Sequence, residues 1–515
     1  MNPMAHPIDH GNEGIHELRR EVAGIRAMGL PRTGCPIVLV PGFSGWGRPF
    51  LGTVNYFGGF ENLPLILSQL GYIVIVVRIG PISSNRERAC EIFAQLDDGV
   101  FDLPGTPGTF INVNFGTGLP APAVAAARTR RAVIYNPPAP ANALPADWQW
   151  SAANRVNFIC HSQGGTTVRY LIELLSGTHP NPPHFFGVNR QSWIKSVVTL
   201  GTPHKGTTVT GVVNDLLPPG GLDPLLDFIT SCSFETRQDR IYDLHLDHWG
   251  FASAPGQTYQ ALRATIAPVV TTWWNQRYNG LYDNSVRGIQ DLDLFAPNPS
   301  QDIFYFTMSF CATRPFPNET LTTRDINEFL ALFPGHEVWN PLGVSGHVAA
   351  PLLRLGTWLS ALPSSRAALT WITDVANRHL QPLRYFSQIP RPGTQVPRPD
   401  MLPLIMYPAY AMGGRSRPAG TALPGITSEE FQRNDGIVNT RSMDGPTTGP
   451  VNEGSCVAEL IANPPPANSK GIYWHLGTNS TIDHADQIGV FTNSTTYAEV
   501  KAMYMLLAEL VDRLP

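Results

Sequence analysis

Lysine is nearly missing from this sequence: only Lys195, Lys205, Lys470 and Lys501 stand beside 32 arginines. Charge as a whole is sparse. Asp, Glu, Lys and Arg make up 15% of the chain and the formal net charge is −4, which argues against a nucleic-acid partner and against an acidic solvating tail. Cysteine is also thin, and Cys35, Cys90, Cys160, Cys232, Cys311 and Cys456 lie far apart without C-x-x-C spacing, so a disulfide scaffold is excluded and buried thiols are expected. No window of about 18 apolar residues occurs, so no transmembrane segment is expected. The opening stretch "MNPMAHPIDHGNEGIHELRREVAGIRAMGL" contains no continuous apolar core of a signal peptide. Export would then rest on a signal already removed or of another kind. The sequons at Asn318, Asn479 and Asn493 are compatible with a secreted protein.

What is abundant is apolar side chains, at 43% of 515 residues, enough for a sizeable core. The 47 glycines and 48 prolines are spread between periodic segments, which reads as many turns and long loops. "CPIVLVPGF" (Cys35–Phe43) is a β-branched run entering a turn. "ENLPLILSQLGYIVIVVRIG" (Glu61–Gly80) reads as a helix, a glycine stop at Gly71 and a second strand. Val156–Cys160 is a third, "WIKSVVTLGTPHKGT" carries a fourth, and Asp302–Phe310 is a fifth. Continuous apolar strands alternating with helices imply an α/β protein, with a mostly parallel central sheet covered by helices on both faces. The intervening Gly105–Trp148 reads as loop with at most one helix, and the chain closes with a helix over Tyr497–Leu514.

The chemistry is concentrated in "RVNFICHSQGGTTVRYLIELL" (Arg155–Leu175), where a serine stands between a buried strand and an amphipathic helix. Cys160-His161-Ser162-Gln163-Gly164 matches G-x-S-x-G with its first glycine replaced by a small residue. A sharp strand-to-helix turn of this kind exposes a nucleophilic hydroxyl and demands small neighbours. The plain alternative is a buried serine at an ordinary turn. A serine nucleophile needs a base and donors for the oxyanion. His484, in "TIDHADQIGV" before the final helix, is the candidate base. Asp435, in the "NDGIVNT" turn between Ser162 and His484, is the candidate acid, with Asp486 and Asp483 as competitors, the latter an immediate sequence neighbour of a kind that rarely reaches round to Nδ1. The glycine-rich "PGFSGWG" offers Phe43 N–H, which with Gln163 N–H would form the oxyanion hole.

The blocks "PIVLVPGFSGWGR", "GPISSNRERACEIFAQL", "CHSQGGTTVRYLIELL", "TLGTPHKGTT", "YDLHLDHWG", "NDGIVNTRSMDGP" and "DHADQIGV" occur in the order found in the thermophilic Bacillus and Geobacillus lipases and their staphylococcal relatives (bacterial lipase family I.5). The sequence resembles that family over roughly Cys35–Asn318 and Met401–Leu514. The resemblance implies an α/β-hydrolase fold with a lid, hydrolysis of lipophilic carboxylic esters, Ser162 as nucleophile, Asp435 as acid, His484 as base, and Phe43 and Gln163 as oxyanion donors.

Three departures from the family stand out. Its zinc site uses two carboxylates, here Glu87 and Asp247, and two histidines from a loop that in this chain, Val100–Gly118, has none. Half the expected ligand set is gone and no structural zinc of the family type is expected; His245 and His248 flank Asp247, so a rearranged site is the alternative to solvated or core-satisfied histidines. Of the calcium carboxylates, Asp486 is kept and Phe491 replaces the other, so no tight calcium and no cofactor are expected. The third departure is a helical and proline-rich insertion at 318–400, read as a cap on a single hydrolase domain whose core is 35–317 and 401–515, with 1–34 as an N-terminal extension and 210–235 as a lid. The expected function is a carboxylic ester hydrolase working through a Ser-His-Asp triad and an acyl-enzyme on lipophilic esters such as acylglycerols, met at a lipid or polymer interface. Rival readings with the same triad are a polyester or cutin hydrolase and an acyltransferase. A catalytically idle binding protein is the rival from another class.

Overall fold

The computed structural model describes residues 15–45, 55–59, 61–106, 108–119, 127–216, 222–234, 246–316, 393–398, 401, 403–462, 469–490 and 492–515. Its centre is an eight-stranded sheet. The strands are β1 (Ile37–Val40), β2 (Val74–Val76), β3 (Val133–Tyr135), β4 (Val156–His161), β5 (Ile194–Leu200), β6 (Phe304–Phe310), β7 (Val451–Asn452) and β8 (Tyr473–Asn479), in the spatial order β7-β8-β6-β5-β4-β1-β2-β3. Neighbours run parallel except β3, which pairs antiparallel with β2 at one edge.

Side chains alternate across a strand, so the register sorts the core into two layers. The row Leu39, Ile159, Val198, Phe306 and Trp474 faces one side. There it packs against helices His16–Ala27, Leu63–Gln69, Cys456–Ala462 and Ser494–Arg513. The adjacent row Val38, Phe158, Val197, Tyr305 and Tyr473 faces helices Asn85–Asp97 and Gln163–Leu174. Both faces are covered, which is why the central strands are apolar without interruption. The sheet and its two helical layers are those of an α/β-hydrolase fold.

Some local expectations are corrected. The stretch 105–148 holds a small antiparallel pair, Phe110–Asn112 with Arg128–Arg130, as well as β3. Three-residue strands are too short to leave a periodic trace. Residues 1–34 read as an extension, yet helix His16–Ala27 buries Leu18, Val22 and Ile25 completely or nearly so in the core. Of the insertion, 393–398 is described, and Gln395–Pro397 pairs antiparallel with Thr313–Pro315, bringing its two ends together; the expected cap helices lie outside the described residues. The segment 210–235, read as a lid, holds helix Asp223–Phe234 and most of helix Val209–Leu216, with 217–221 and 235 outside the described residues. No described helix is long and apolar enough to cross a membrane.

Candidate active site

Ser162 stands where β4 passes into helix Gln163–Leu174, with φ 54° and ψ −128°. A β-carbon makes this region costly for any residue except glycine, so the surrounding structure must hold the bend. Part of that hold is Ser162 N–H donating to Leu200 O on β5 at 2.8 Å. The neighbouring glycines are there because space is absent: a Cβ on Gly164 would lie 2.6 Å from Val40 O, and one on Gly165 2.3 Å from Thr202 Oγ1. Cys160, in the place of the motif's first glycine, is wholly buried, and burial pushes its thiol well above the usual range.

Asp435 and His484, 49 positions apart, meet: Asp435 Oδ2 is 2.7 Å from His484 Nδ1. The same oxygen accepts from Gln487 Nε2 at 2.7 Å, and Oδ1 accepts from Ile437 N–H and Val438 N–H at 3.0 and 2.8 Å. His484 N–H also donates to Asp435 O at 3.0 Å, tying the two loops by backbone. A buried carboxylate on Nδ1 places the imidazole proton there and leaves Nε2 as acceptor. The competing carboxylates are occupied with their own loop. Asp483 Oδ1 accepts from Ala485 N–H and Asp486 N–H, both at 2.9 Å, and Asp486 Oδ2 accepts from Asp483 N–H at 3.1 Å.

The imidazole of His484 lies against that of His161, the residue before Ser162, with ring centroids 4.6 Å apart. His161 Nδ1 contacts Tyr56 Oη at 2.8 Å, and Tyr56 Oη accepts from Gly42 N–H at 2.8 Å. The tyrosine O–H can then donate to His161 Nδ1, and burial holds that imidazole well below its usual range and so neutral. A neutral His161 adds no second cation beside His484.

Gly42 comes close to the serine: a Cβ placed on it would be 2.6 Å from Ser162 Cβ. This sets Phe43, the next residue, beside the serine turn. Gln163 is the first residue of its helix, so its N–H has no intrahelical acceptor. Its side chain is buried, with Nε2 donating to Ser83 O and Asn85 Oδ1, both at 3.2 Å. The Phe43 ring packs on an apolar cluster that includes Leu226 and Ile229 of helix Asp223–Phe234, Trp249 and Trp273. A cavity of about 540 Å³ opens nearby between helix Val209–Leu216 and residues 274–287; Thr207, Asn214, Trp274, Arg277 and Arg415 line it. Neither Ser162, Asp435 nor His484 lies on its wall.

The residues at the family's zinc position do not fit a zinc ion. Glu87 closes a capping box with Ser84, accepting from Ser84 N–H at 2.9 Å. Asp247 forms an ion pair with Arg130, and its backbone carbonyl accepts from Arg128 Nη2 at 2.7 Å. A guanidinium thus holds the carboxylate that would have faced the metal. Among the described residues no three His, Cys, Asp or Glu side chains gather to hold a metal ion. His245 and Phe491 lie outside the described residues.

Residues 144–338 match a family model described as "Lipase-like, C-terminal domain". Over 339 residues the chain is 28% identical to Lipase 1 of Staphylococcus aureus (strain MRSA252), covering 62% of this chain and 45% of that protein. The chain therefore spans less than half the length of the curated relatives it matches first. In structure it is similar to lipase 1 from Pelosinus fermentans (TM-score 0.55, 24% identity, 94% of this chain and 100% of that one). It is also similar to Staphylococcus hyicus lipase (TM-score 0.56, 19% identity, 94% and 96%).

Proposed function

We propose that this chain, a relative of the staphylococcal-type bacterial lipases with their α/β-hydrolase fold, is a serine carboxylic ester hydrolase acting on lipophilic esters. The observation that carries the reading is the buried Asp435–His484 pair at 2.7 Å, with the His484 ring against the residue that precedes a strained Ser162. A serine held at positive φ, an imidazole aligned by a buried carboxylate, and a glycine loop pressed on the serine are what acyl transfer requires together. The apolar cluster of the lid helix around Phe43 supports an acyl chain as the group bound beside the reacting carbon.

On this reading His484 Nε2 takes the Ser162 proton as Oγ bonds to the ester carbonyl carbon, and the carbonyl π electrons move onto oxygen. Phe43 N–H and Gln163 N–H hold that oxyanion. Collapse breaks the bond to the alcohol oxygen, which leaves with the proton from His484. Water then loses a proton to His484 and attacks the acyl-enzyme; Ser162 departs with that proton, releasing the acid. Asp435 keeps the imidazole in one tautomer and stabilises the imidazolium in each half-reaction.

The test is hydrolysis of p-nitrophenyl butyrate and of a triacylglycerol emulsion by the parent and by Ser162→Ala. The variant is expected to lose roughly 10³-fold or more of kcat. Retention within tenfold would overturn the assignment. A polyester film assayed in parallel separates the substrate classes, since attack on the film alone would remove acylglycerols from the reading.

A further inference from the structure

Arg88, on helix Asn85–Asp97, is entirely buried, and its hydrogen bonds go to backbone carbonyls and one hydroxyl. Nε donates to Thr167 Oγ1 at 3.0 Å, Nη1 to Gly42 O at 3.2 Å and to Gly80 O at 3.0 Å, and Nη2 to Pro41 O. Burial pushes its pKa down to about 10, which leaves it charged at neutral pH. A buried guanidinium spent on three carbonyls, two of them from the successive residues Pro41 and Gly42, calls for a reason beyond packing, because a buried charge is costly unless its hydrogen bonds are well made.

The reason lies in which peptide it holds. The unit joining Gly42 to Phe43 is planar, and in its trans form C=O and N–H point in opposite directions. A cation on Gly42 C=O therefore fixes the plane in which Phe43 N–H lies. It also polarises the peptide, which makes that N–H a stronger donor. Gly42 N–H is fixed separately by Tyr56 Oη at 2.8 Å, so the loop is gripped on both sides. The same arginine-bearing helix anchors the other candidate donor, since Asn85 Oδ1 accepts from Gln163 Nε2 at 3.2 Å and from Thr167 Oγ1 at 3.0 Å.

We infer that Arg88 is a positioning residue for acyl transfer: its guanidinium, bound to the Pro41 and Gly42 carbonyls, aims Phe43 N–H at the tetrahedral oxyanion and strengthens it. The inference rests on the serine hydrolase reading above. It predicts an effect in the transition state and little in the ground state, where the neutral carbonyl oxygen draws weakly on the donor.

The experiment compares the parent with Arg88→Lys, Arg88→Gln and Thr167→Val. Removing an oxyanion donor outright costs about 10²–10³ in kcat, so loosening one should cost about 10–100-fold in Arg88→Gln, less in Arg88→Lys and least in Thr167→Val. KM should stay within about threefold, and affinity for a trifluoromethyl ketone should fall in step with kcat/KM. The infrared stretch of the isotope-labelled acyl-enzyme carbonyl is the signature a structural role would not move. It should rise in frequency in each variant as the hydrogen bond to it weakens. If the arginine variants do not fold, Thr167→Val carries the test alone, and a parental carbonyl frequency there overturns the inference. Folded arginine variants with parental kcat and frequency overturn it equally. A parent that forms no acyl-enzyme on Ser162 removes the underlying reading and this inference with it, an outcome distinct from a parent that acylates normally beside unaltered variants.

Discussion

Ser162 holds a backbone conformation that glycine would hold without strain, at φ 54°. Positive-φ strain of about 1–3 kcal/mol, offset by the greater unfolded-state freedom of glycine, predicts that Ser162→Gly is more stable than Ser162→Ala by about 1 kcal/mol, both being inactive. Urea unfolding of the two variants measures this directly; an alanine variant as stable as the glycine one would mean that the turn is unstrained. Asp435 accepts from two backbone N–H groups as well as from Gln487 and His484. Asp435→Asn is therefore expected to keep the turn yet favour the wrong imidazole tautomer, lowering kcat by roughly 10³–10⁴-fold with little change in KM. The pairing of Asp435 with His484 was legible because an Asn-Asp-Gly turn and a histidine before the last helix each have a mechanical reason to be where they are. Arg88, Tyr56 and Gln487 were not legible as parts of the site. Each touches a loop carbonyl, amide or carboxylate brought to it only by the fold, and no spacing in the chain announces that.

At the scale of elements, helix Asn85–Asp97 is the unusual one, because it is buried along most of its length and carries ionisable groups inward. Burial pushes Glu91 up to about 8 and Glu87 to about 7, and across from the helix Asp283 is pushed to about 7. A folded pKa above the unfolded one means that the native state favours the neutral acid. The stability these three groups contribute is then full below about pH 4 and is lost as pH rises through 7 to 8. Glu91→Gln should match the parent's melting temperature at pH 5 and exceed it at pH 8.5, since the amide oxygen can still accept from Gly80 N–H, now bonded to Glu91 Oε2 at 2.6 Å. Equal melting at both values would mean that Glu91 titrates normally. Strands β1, β2, β4, β5 and β6 could be read from their apolar β-branched runs. β8, "YWHLGTN", could not, because His475, Gly477 and Thr478 break the run while its neighbours supply the pairing. Helix Tyr259–Asn275 was hidden in the same way by Pro268 in its interior.

Across the whole molecule, the first and last described helices close the fold on one another. Ile25 of helix His16–Ala27 is fully buried in the cluster that also holds Val500, Leu507 and Val511 of the final helix. Ile25→Ala should lose about 2–5 kcal/mol, far more than a detachable extension would cost. On the other side of the sheet Arg130 holds Asp247, so chelation by EDTA or phenanthroline is expected to leave the melting temperature within about 1 °C of the untreated protein; a fall of several degrees would reveal a bound ion that contributes to folding. The layered sheet was legible as a whole because both its faces are covered, which leaves continuous apolar runs in the strands. The measurement that bears most directly on the central claim is the rate and position of fluorophosphonate labelling, mapped by peptide mass spectrometry in the parent and in His484→Ala. The account predicts a single adduct on Ser162, formed at least about 100-fold more slowly without the imidazole. An adduct elsewhere, or labelling of Ser162 at the same rate in both proteins, would contradict it.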